Sequence, residues 1–83
     1  MATTIFTKQA ERSFLKLKAS DQKKISKAIE KLMKNPLAGE KLKGEFEGQY
    51  KLYAWPYRVI YVFYPKNSIV TVVDIGHRQG IYK

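Results

Sequence analysis

Apolar and polar positions divide the chain into two halves with different periods. Residues 2–6 (Ala-Thr-Thr-Ile-Phe) are short and β-prone, and predict a first strand ending near Thr7. Thr7 then has the chemistry of a helix N-cap, because its hydroxyl can accept an orphan helix N–H. From Lys8 to Lys18, the residues Ala10, Phe14 and Leu17 recur at i, i+4 and i+7, a helical stripe. Ser20-Asp21 offers a second cap. From Gln22 to Lys34, Ile25, Ala28, Ile29 and Leu32 share one face and Met33 widens it. Asn35-Pro36 ends that helix, since proline disfavours helical geometry in the residue before it. The two helices are expected to form an antiparallel hairpin joined near Ser20.

Residues 35–49 read as a polar connection punctuated by Pro36, Gly39, Gly44 and Gly48. The period then changes. Tyr50–Trp55, Tyr57–Tyr64 and Ile69–Ile75 are rich in β-branched and aromatic residues and predict three strands, with turns at Pro56 and at Pro65-Lys66-Asn67-Ser68. Such short turns imply a consecutive antiparallel meander. Gly76 is expected to break the last strand, and the residues after it are too few for a terminal helix. The expected architecture is α+β, ordered β-α-α-β-β-β, with the helical hairpin packed on one face of an antiparallel sheet. Alternation in the middle strand sends Arg58, Ile60 and Val62 to one face and Tyr57, Val59, Tyr61 and Phe63 to the other.

Composition narrows the function. At 83 residues the chain is expected to be one domain, spanning 1–83, with no room for separate cofactor and substrate domains. It contains no cysteine and one histidine, His77, which removes disulfides, thiolate metal sites, Fe–S clusters and thiol nucleophiles. Neither a bilayer-length apolar run nor a signal-peptide pattern occurs in it, so a soluble, cytoplasmic and complete protein is expected, without a membrane partner. No metal and no small-molecule cofactor are expected.

Charge changes the picture most. Sixteen Lys and Arg against seven Asp and Glu give +9. Residues 1–43 carry eleven bases and four acids, whereas 44–83 carry five and three. Such an excess favours polyanionic partners. The hairpin lysines Lys16, Lys18, Lys23, Lys24, Lys27, Lys31 and Lys34 are either a solvated helix surface or a phosphate-docking face; the scarcity of matching acids favours the second. Arg58 stands in line with apolar neighbours. It is either half of a structural pair or a phosphate ligand whose planar fork of donors suits that task. Tyr53 and its neighbouring aromatics are either core or a platform for unpaired bases. The ending Gly76-His77-Arg78-Gln79-Gly80-Ile81-Tyr82 reads as an irregular segment bearing polar groups near the sheet. Neither a nucleophile elbow nor a Walker loop is present, so phosphodiester chemistry here would rely on the 2′-OH of RNA itself.

Three segments in order carry a resemblance: Leu42-Lys43-Gly44 followed by Gly48-Gln49-Tyr50-Lys51-Leu52; Tyr57-Arg58-Val59-Ile60-Tyr61; and Gly76-His77-Arg78 with Ile81-Tyr82 behind it. With the element order, they resemble the RelE/ParE superfamily of bacterial and archaeal toxins over essentially the whole chain. The resemblance implies a RelE-like, microbial RNase-like fold and the toxin of a type II toxin–antitoxin pair, closest to the RelE-type enzymes that cut mRNA in the ribosomal A site by metal-free 2′-OH attack. It implies a cognate antitoxin and the ribosome as partners. By position, Arg58 matches the strand arginine at the scissile phosphate, Arg78 a second phosphate ligand, Tyr82 the terminal tyrosine that orients the nucleophile and stacks on a base, and Lys51 an auxiliary cation. Glu40 lies near a glutamate proposed as general base in Yoe-type nucleases. Lys16, Lys18, Lys23, Lys24, Lys27, Lys31, Lys43, Tyr53 and His77 are expected to bind RNA. The chain departs from several RelE-type nucleases by carrying Tyr53 where they have a second lysine, and by lacking their terminal helix. The alternatives are a ParE-type inhibitor of DNA gyrase, which shares the fold, and a homologue whose nuclease activity is weak or lost.

Overall fold

The computed structural model describes residues 1–77. In chain order it contains β1 (Thr3–Phe6), α1 (Lys8–Leu15), α2 (Ala19–Lys34), β2 (Glu40–Lys41), a 3-10 turn (Gly44–Phe46), β3 (Tyr50–Ala54), β4 (Tyr57–Tyr64) and β5 (Ile69–His77). The strands form one five-stranded sheet in the order β1-β5-β4-β3-β2. The meander β3-β4-β5 is antiparallel, and β1 pairs in parallel with β5, so the sheet is mixed. Both helices lie on one face.

The predicted helical stripes are the ones that become core. Ala10, Ile25, Ala28, Ile29 and Leu32 are buried, with Phe14, Leu17 and Met33 packed beside them. They meet Leu52, Val59, Tyr61, Val70, Val72 and Ile75 from the sheet. Each such side chain withdrawn from water stabilises the fold by roughly 1.5–3 kcal/mol. The strand alternation holds in β4: Val59 and Tyr61 are fully buried in the core, with Tyr57 and Phe63 packed against it, while Arg58 belongs to the opposite face.

Four local expectations are corrected. First, α2 begins at Ala19 with Lys18 as N-cap, which supplies no side-chain cap bond. Asp21 is not the cap: it is buried in the first turn of α2 and accepts a hydrogen bond from the Tyr57 hydroxyl at 2.8 Å. Second, α1 stops at Leu15, and Gln22 Nε2 donates to the Phe14 carbonyl across the junction. Third, the polar connection holds structure of its own: Glu40 and Lys41 pair with Lys51 and Tyr50 as an extra edge strand. Fourth, Gly76 does not break β5; it pairs with Arg58, and the strand runs on to His77.

A β-bulge sets the two faces of β5. Ile60 pairs with Asp74 but Tyr61 pairs with Val72, leaving Val73 as the extra residue. Val70 and Val72 point into the core at the strand period of two. Without the bulge, Asp74 would follow them inward; with it, Ile75 takes the core position and Asp74 moves to the open face. Thr7 holds this bulge in place. Its hydroxyl donates to the Val73 carbonyl at 2.8 Å and accepts from the Ala10 amide at 3.1 Å. The expected N-cap therefore forms, and it also ties the start of α1 to the irregularity in β5.

Candidate functional site

The sheet face turned away from the helices carries two neighbouring cross-strand rows. One runs Glu40, Lys51, Ile60, Asp74 across β2, β3, β4 and β5; the other runs Tyr53, Arg58, Gly76 across β3, β4 and β5. Residues directly opposite one another in antiparallel strands project to the same side, close enough to touch. The ladder thus gathers Glu40, Lys51, Tyr53 and Arg58 from three different strands.

Tyr53 is the centre of the cluster. The Arg58 guanidinium carbon lies 5.3 Å from its ring centroid and Lys51 Nζ lies 5.4 Å from the same centroid. Both fall within cation–π range. Tyr53 remains 45 % exposed, so a ring electrostatically coupled to two cations still presents surface to a ligand. On the β5 side of Arg58 stands Gly76, which puts no side chain beside the guanidinium. Lys51 is also 3.7 Å from Glu40 Oε2. The Lys51 side chain is mostly buried whereas Glu40 is well exposed, so one partner is held and the other reaches solvent.

The position of Glu40 is fixed from beneath. Tyr61 is fully buried, and its hydroxyl donates to the Pro36 carbonyl at 2.9 Å and accepts from the Gly39 amide at 2.9 Å. Gly39 passes so close that a Cβ there would lie 2.6 Å from the Lys51 carbonyl oxygen. Only glycine permits this approach, and it brings the next residue, Glu40, alongside Lys51. Burial raises the Tyr61 hydroxyl above the ordinary tyrosine range, the Gly39 amide opposing it. On the helix side of the sheet, the hydrogen bond to Asp21 raises Tyr57 in the same direction, with burial adding to it.

The remaining expected residues are dispersed. Lys24, Lys27 and Lys31 line a groove on α2 together with Tyr53 and Trp55. Lys16, Lys18 and Lys23 are exposed at the α1–α2 junction and the start of α2. Lys43 lies after β2, beside a hollow that also contains Tyr50 and Phe63. His77 pairs opposite Tyr57, its ring edge-on at 5.9 Å, which places it on the helix side of the sheet rather than beside Arg58. Arg78 and Tyr82 lie outside the described residues.

Sequence reasoning missed Asp74 on the open face and did not single out Trp55 from the other strand aromatics. Asp74 lines a small cleft of about 180 Å³ with Gln9, Leu42, Phe46, Gln49 and Ile60, and Ile60 separates it from Lys51 in the cross-strand row. Only the bulge brings it there, and nothing in the strand period announces a bulge. Trp55 is 60 % exposed at the β3–β4 turn. The sequence sets it among the aromatics near Arg58 that are either core or a platform for bases, and its exposure excludes the core.

A family model describing the ParE toxin of type II toxin–antitoxin systems matches residues 4–82. The chain belongs to this ParE toxin family. The whole of the open-face cluster falls inside the match. No curated protein matches the chain in sequence. Among solved structures, a chain of the toxin–antitoxin complex RelBE2 from Mycobacterium tuberculosis is 26 % identical, with a TM-score of 0.85, and the match covers 93 % of this chain and 98 % of that one. The YoeB/ParE toxin from Agrobacterium tumefaciens is 19 % identical with a TM-score of 0.81, covering 92 % and 98 %. The isolated E. coli RelE toxin is 23 % identical with a TM-score of 0.80, covering 99 % and 92 %. The last two speak for the fold alone. Two helices on a five-stranded mixed sheet are thus the RelE/ParE architecture, and this ParE-family toxin carries it over its described length. Among the described residues, none of its helices is long and apolar enough to cross a membrane.

Proposed function

We propose that this toxin acts on RNA, cleaving mRNA in the ribosomal A site and so inhibiting translation, and that a cognate antitoxin neutralises it. The observation that carries the reading is the open-face cluster: two cations flank one exposed tyrosine, with a carboxylate 3.7 Å from one of them. That set suits attack by a ribose 2′-OH on the adjacent phosphate. The 2′-oxygen forms a bond to phosphorus and the 5′-oxygen leaves, giving a 2′,3′-cyclic phosphate and a 5′-hydroxyl. Arg58 would clamp the non-bridging oxygens and stabilise the charge that develops on them, with Lys51 adding to the field. Glu40 would accept the 2′-OH proton, a proton delivered through water would complete the departing 5′-hydroxyl, and Tyr53 would offer a ring for an unstacked base. Arg78 and Tyr82 are assigned a second phosphate contact and orientation of the nucleophile, on the resemblance alone. The antitoxin reading is supported by the family and by the RelBE2 complex, and the high positive charge favours an acidic binding segment.

A second reading is favoured by the family match itself. The matching model is that of ParE, and the expected alternative for a ParE-type toxin is inhibition of DNA gyrase. One experiment separates the two. Primer extension on mRNA held in programmed ribosomes with vacant A sites should show new ends in the A-site codon, absent from free RNA. Losing one preorganised charge-stabilising group costs roughly 10²–10³-fold in rate, so folded Arg58→Ala protein should give no ends in the same time. Unchanged cleavage by Arg58→Ala removes the assignment. No ends with either protein, together with inhibition of gyrase supercoiling, establishes the second reading.

A further inference from the structure

The groove between α2 and the β3–β4 turn lies beside the open-face cluster and shares only Tyr53 with its two rows. It has a volume of about 410 Å³ and is lined by Lys24, Lys27, Lys31, Tyr53, Trp55 and small residues at its floor. The floor is shallow because Ala28 of α2 meets Ala54 of β3 with no bulk on either side. The three lysines occupy one strip of the helix, at i, i+3 and i+7. Glu30 stands at i+3 from Lys27, about 60° around the helix from it, and so borders that strip on one side. Among the described residues, the one ion pair these lysines make is Lys24 to Asp21 at 3.7 Å, and that carboxylate also accepts from Tyr57. The groove wall opposite the lysines is aromatic, with Trp55 60 % and Tyr53 45 % exposed.

The groove exists because β2 is only two residues long. It covers Tyr50 and Lys51 and leaves the rest of the β3 edge bare, so the α2 lysines and the open face of the sheet meet around that edge. Tyr53 is common to both regions: it lines the groove and it stands against Arg58 and Lys51.

We propose that this groove is a binding track for single-stranded RNA, in which Trp55 stacks on one base, the α2 lysines hold the phosphates around it, and Tyr53 passes the strand to Arg58. Resting on the reading that the ligand is RNA, it adds a subsite outside the reacting centre and a specific role for Trp55. A row of cations alone would serve any polyanion. Cations facing two exposed aromatic rings serve a polyanion with flat, unpaired bases, which selects single-stranded nucleic acid over an acidic protein.

Trp55 is the only tryptophan in the chain, so its fluorescence reports this groove alone. Oligouridine RNA titrated into the full-length protein should quench it, and an abasic ribose-phosphate strand of equal length should bind more weakly without quenching. By anisotropy of labelled RNA, Trp55→Ala should lose roughly 5- to 150-fold in affinity, the range for one stacked base, and Trp55→Phe should recover much of it. Each of Lys24→Ala, Lys27→Ala and Lys31→Ala should lower the salt slope by about 0.7. Melting curves check that the variants fold, and the exposure of these side chains makes that the expected result. Equal binding of the abasic strand, or absent quenching, overturns the proposal. Tighter binding of polyglutamate than of oligouridine overturns it in favour of an acidic protein. Ribosomal cleavage is scored separately. Quenching without cleavage sinks the nuclease reading and leaves the groove; cleavage without quenching does the reverse.

Discussion

Replacing Tyr61 with Phe removes one oxygen and tests how the fold holds the site. The ring is fully buried against the core, and the substitution keeps it, so little apolar burial is lost. What is lost is a hydroxyl that donates to the Pro36 carbonyl and accepts from the Gly39 amide, both at 2.9 Å. A hydrogen bond of this kind contributes about 0.5–1.5 kcal/mol net, and two give about 1–3 kcal/mol. The carbonyl and the amide sit in a half-buried loop that water can reach after some rearrangement, which favours the middle of that range, about 2 kcal/mol. Total stability for a domain of this length is on the order of 4–12 kcal/mol, so the change is a large share of it. Urea melts of Tyr61→Phe should show a lower midpoint with an unchanged m value, and Tm should fall by roughly 8–16 °C.

A pH arm checks the mechanism. Burial raises the Tyr61 pKa in the folded state. Such a group contributes its stability in full below the unfolded value of about 10 and loses it as pH climbs through the folded pKa. The deficit of Tyr61→Phe relative to the parent should therefore narrow above about pH 10. A stability change under about 0.5 kcal/mol at neutral pH would refute the reasoning, because it would mean the loop holds its place without the hydroxyl. Amide exchange gives the local readout: Gly39 should exchange faster in the variant, and the β2 pairing that carries Glu40 should loosen with it.

Two further outcomes are expected. Thr7→Val keeps the shape but removes both the α1 cap and the bond to the bulge carbonyl, and should cost about 1–2 kcal/mol in urea melts, with Thr7→Ser recovering most of it. Asp21→Asn removes the carboxylate whose hydrogen bond is the main reason Tyr57 titrates high, so Tyr57 should ionise nearer its ordinary value. Absorbance titration against a Tyr57→Phe reference measures the shift. The raised folded pKa makes the parent lose stability as pH rises past the ordinary tyrosine value, so Asp21→Asn should flatten that alkaline loss; an unmoved Tyr57 titration would count against the Asp21 contact.

The parts of the fold visible in the sequence were those governed by period and by local chemistry. The stripes at Ala10 and Ile25–Leu32, the cap at Thr7 and the alternation through Arg58 and Tyr61 each depend on a few neighbouring residues. What was hidden depends on contacts across the sheet. Asp21 looks like a cap because aspartate is a good one, yet the Tyr57 hydroxyl 36 positions away takes its carboxylate. Gly76 looks like a strand breaker because glycine is depleted in strands, yet the ladder to Arg58 outweighs that preference. The strand at Glu40–Lys41 is too short to have a period, and forms because the Tyr61 hydroxyl draws the 36–39 loop against β3. In the candidate site, Arg58 and Lys51 were legible as bases among strand residues. Their meeting over one tyrosine ring follows from register, which the sequence of a single strand does not encode.

The same register explains why the chemistry collects where it does. A regular sheet with a full-length β2 and no bulge would bury the β3 edge and turn Asp74 inward. The two irregularities act on opposite sides of the sheet: the bulge at Val73 brings Asp74 out onto the open face, across Ile60 from Lys51, and the short β2 leaves Tyr53 and Trp55 uncovered at the other side. Each is held by a polar contact from the helix-bearing side, Thr7 to the bulge and Tyr61 to the loop before β2. Both contacts come from residues outside the open-face cluster. It follows that substitutions at Thr7 and Tyr61 should alter the face as well as the stability, whereas exposed residues on it, such as Glu40 and Trp55, can change with little effect on folding. A face built this way can vary its chemistry while its scaffold stays constant.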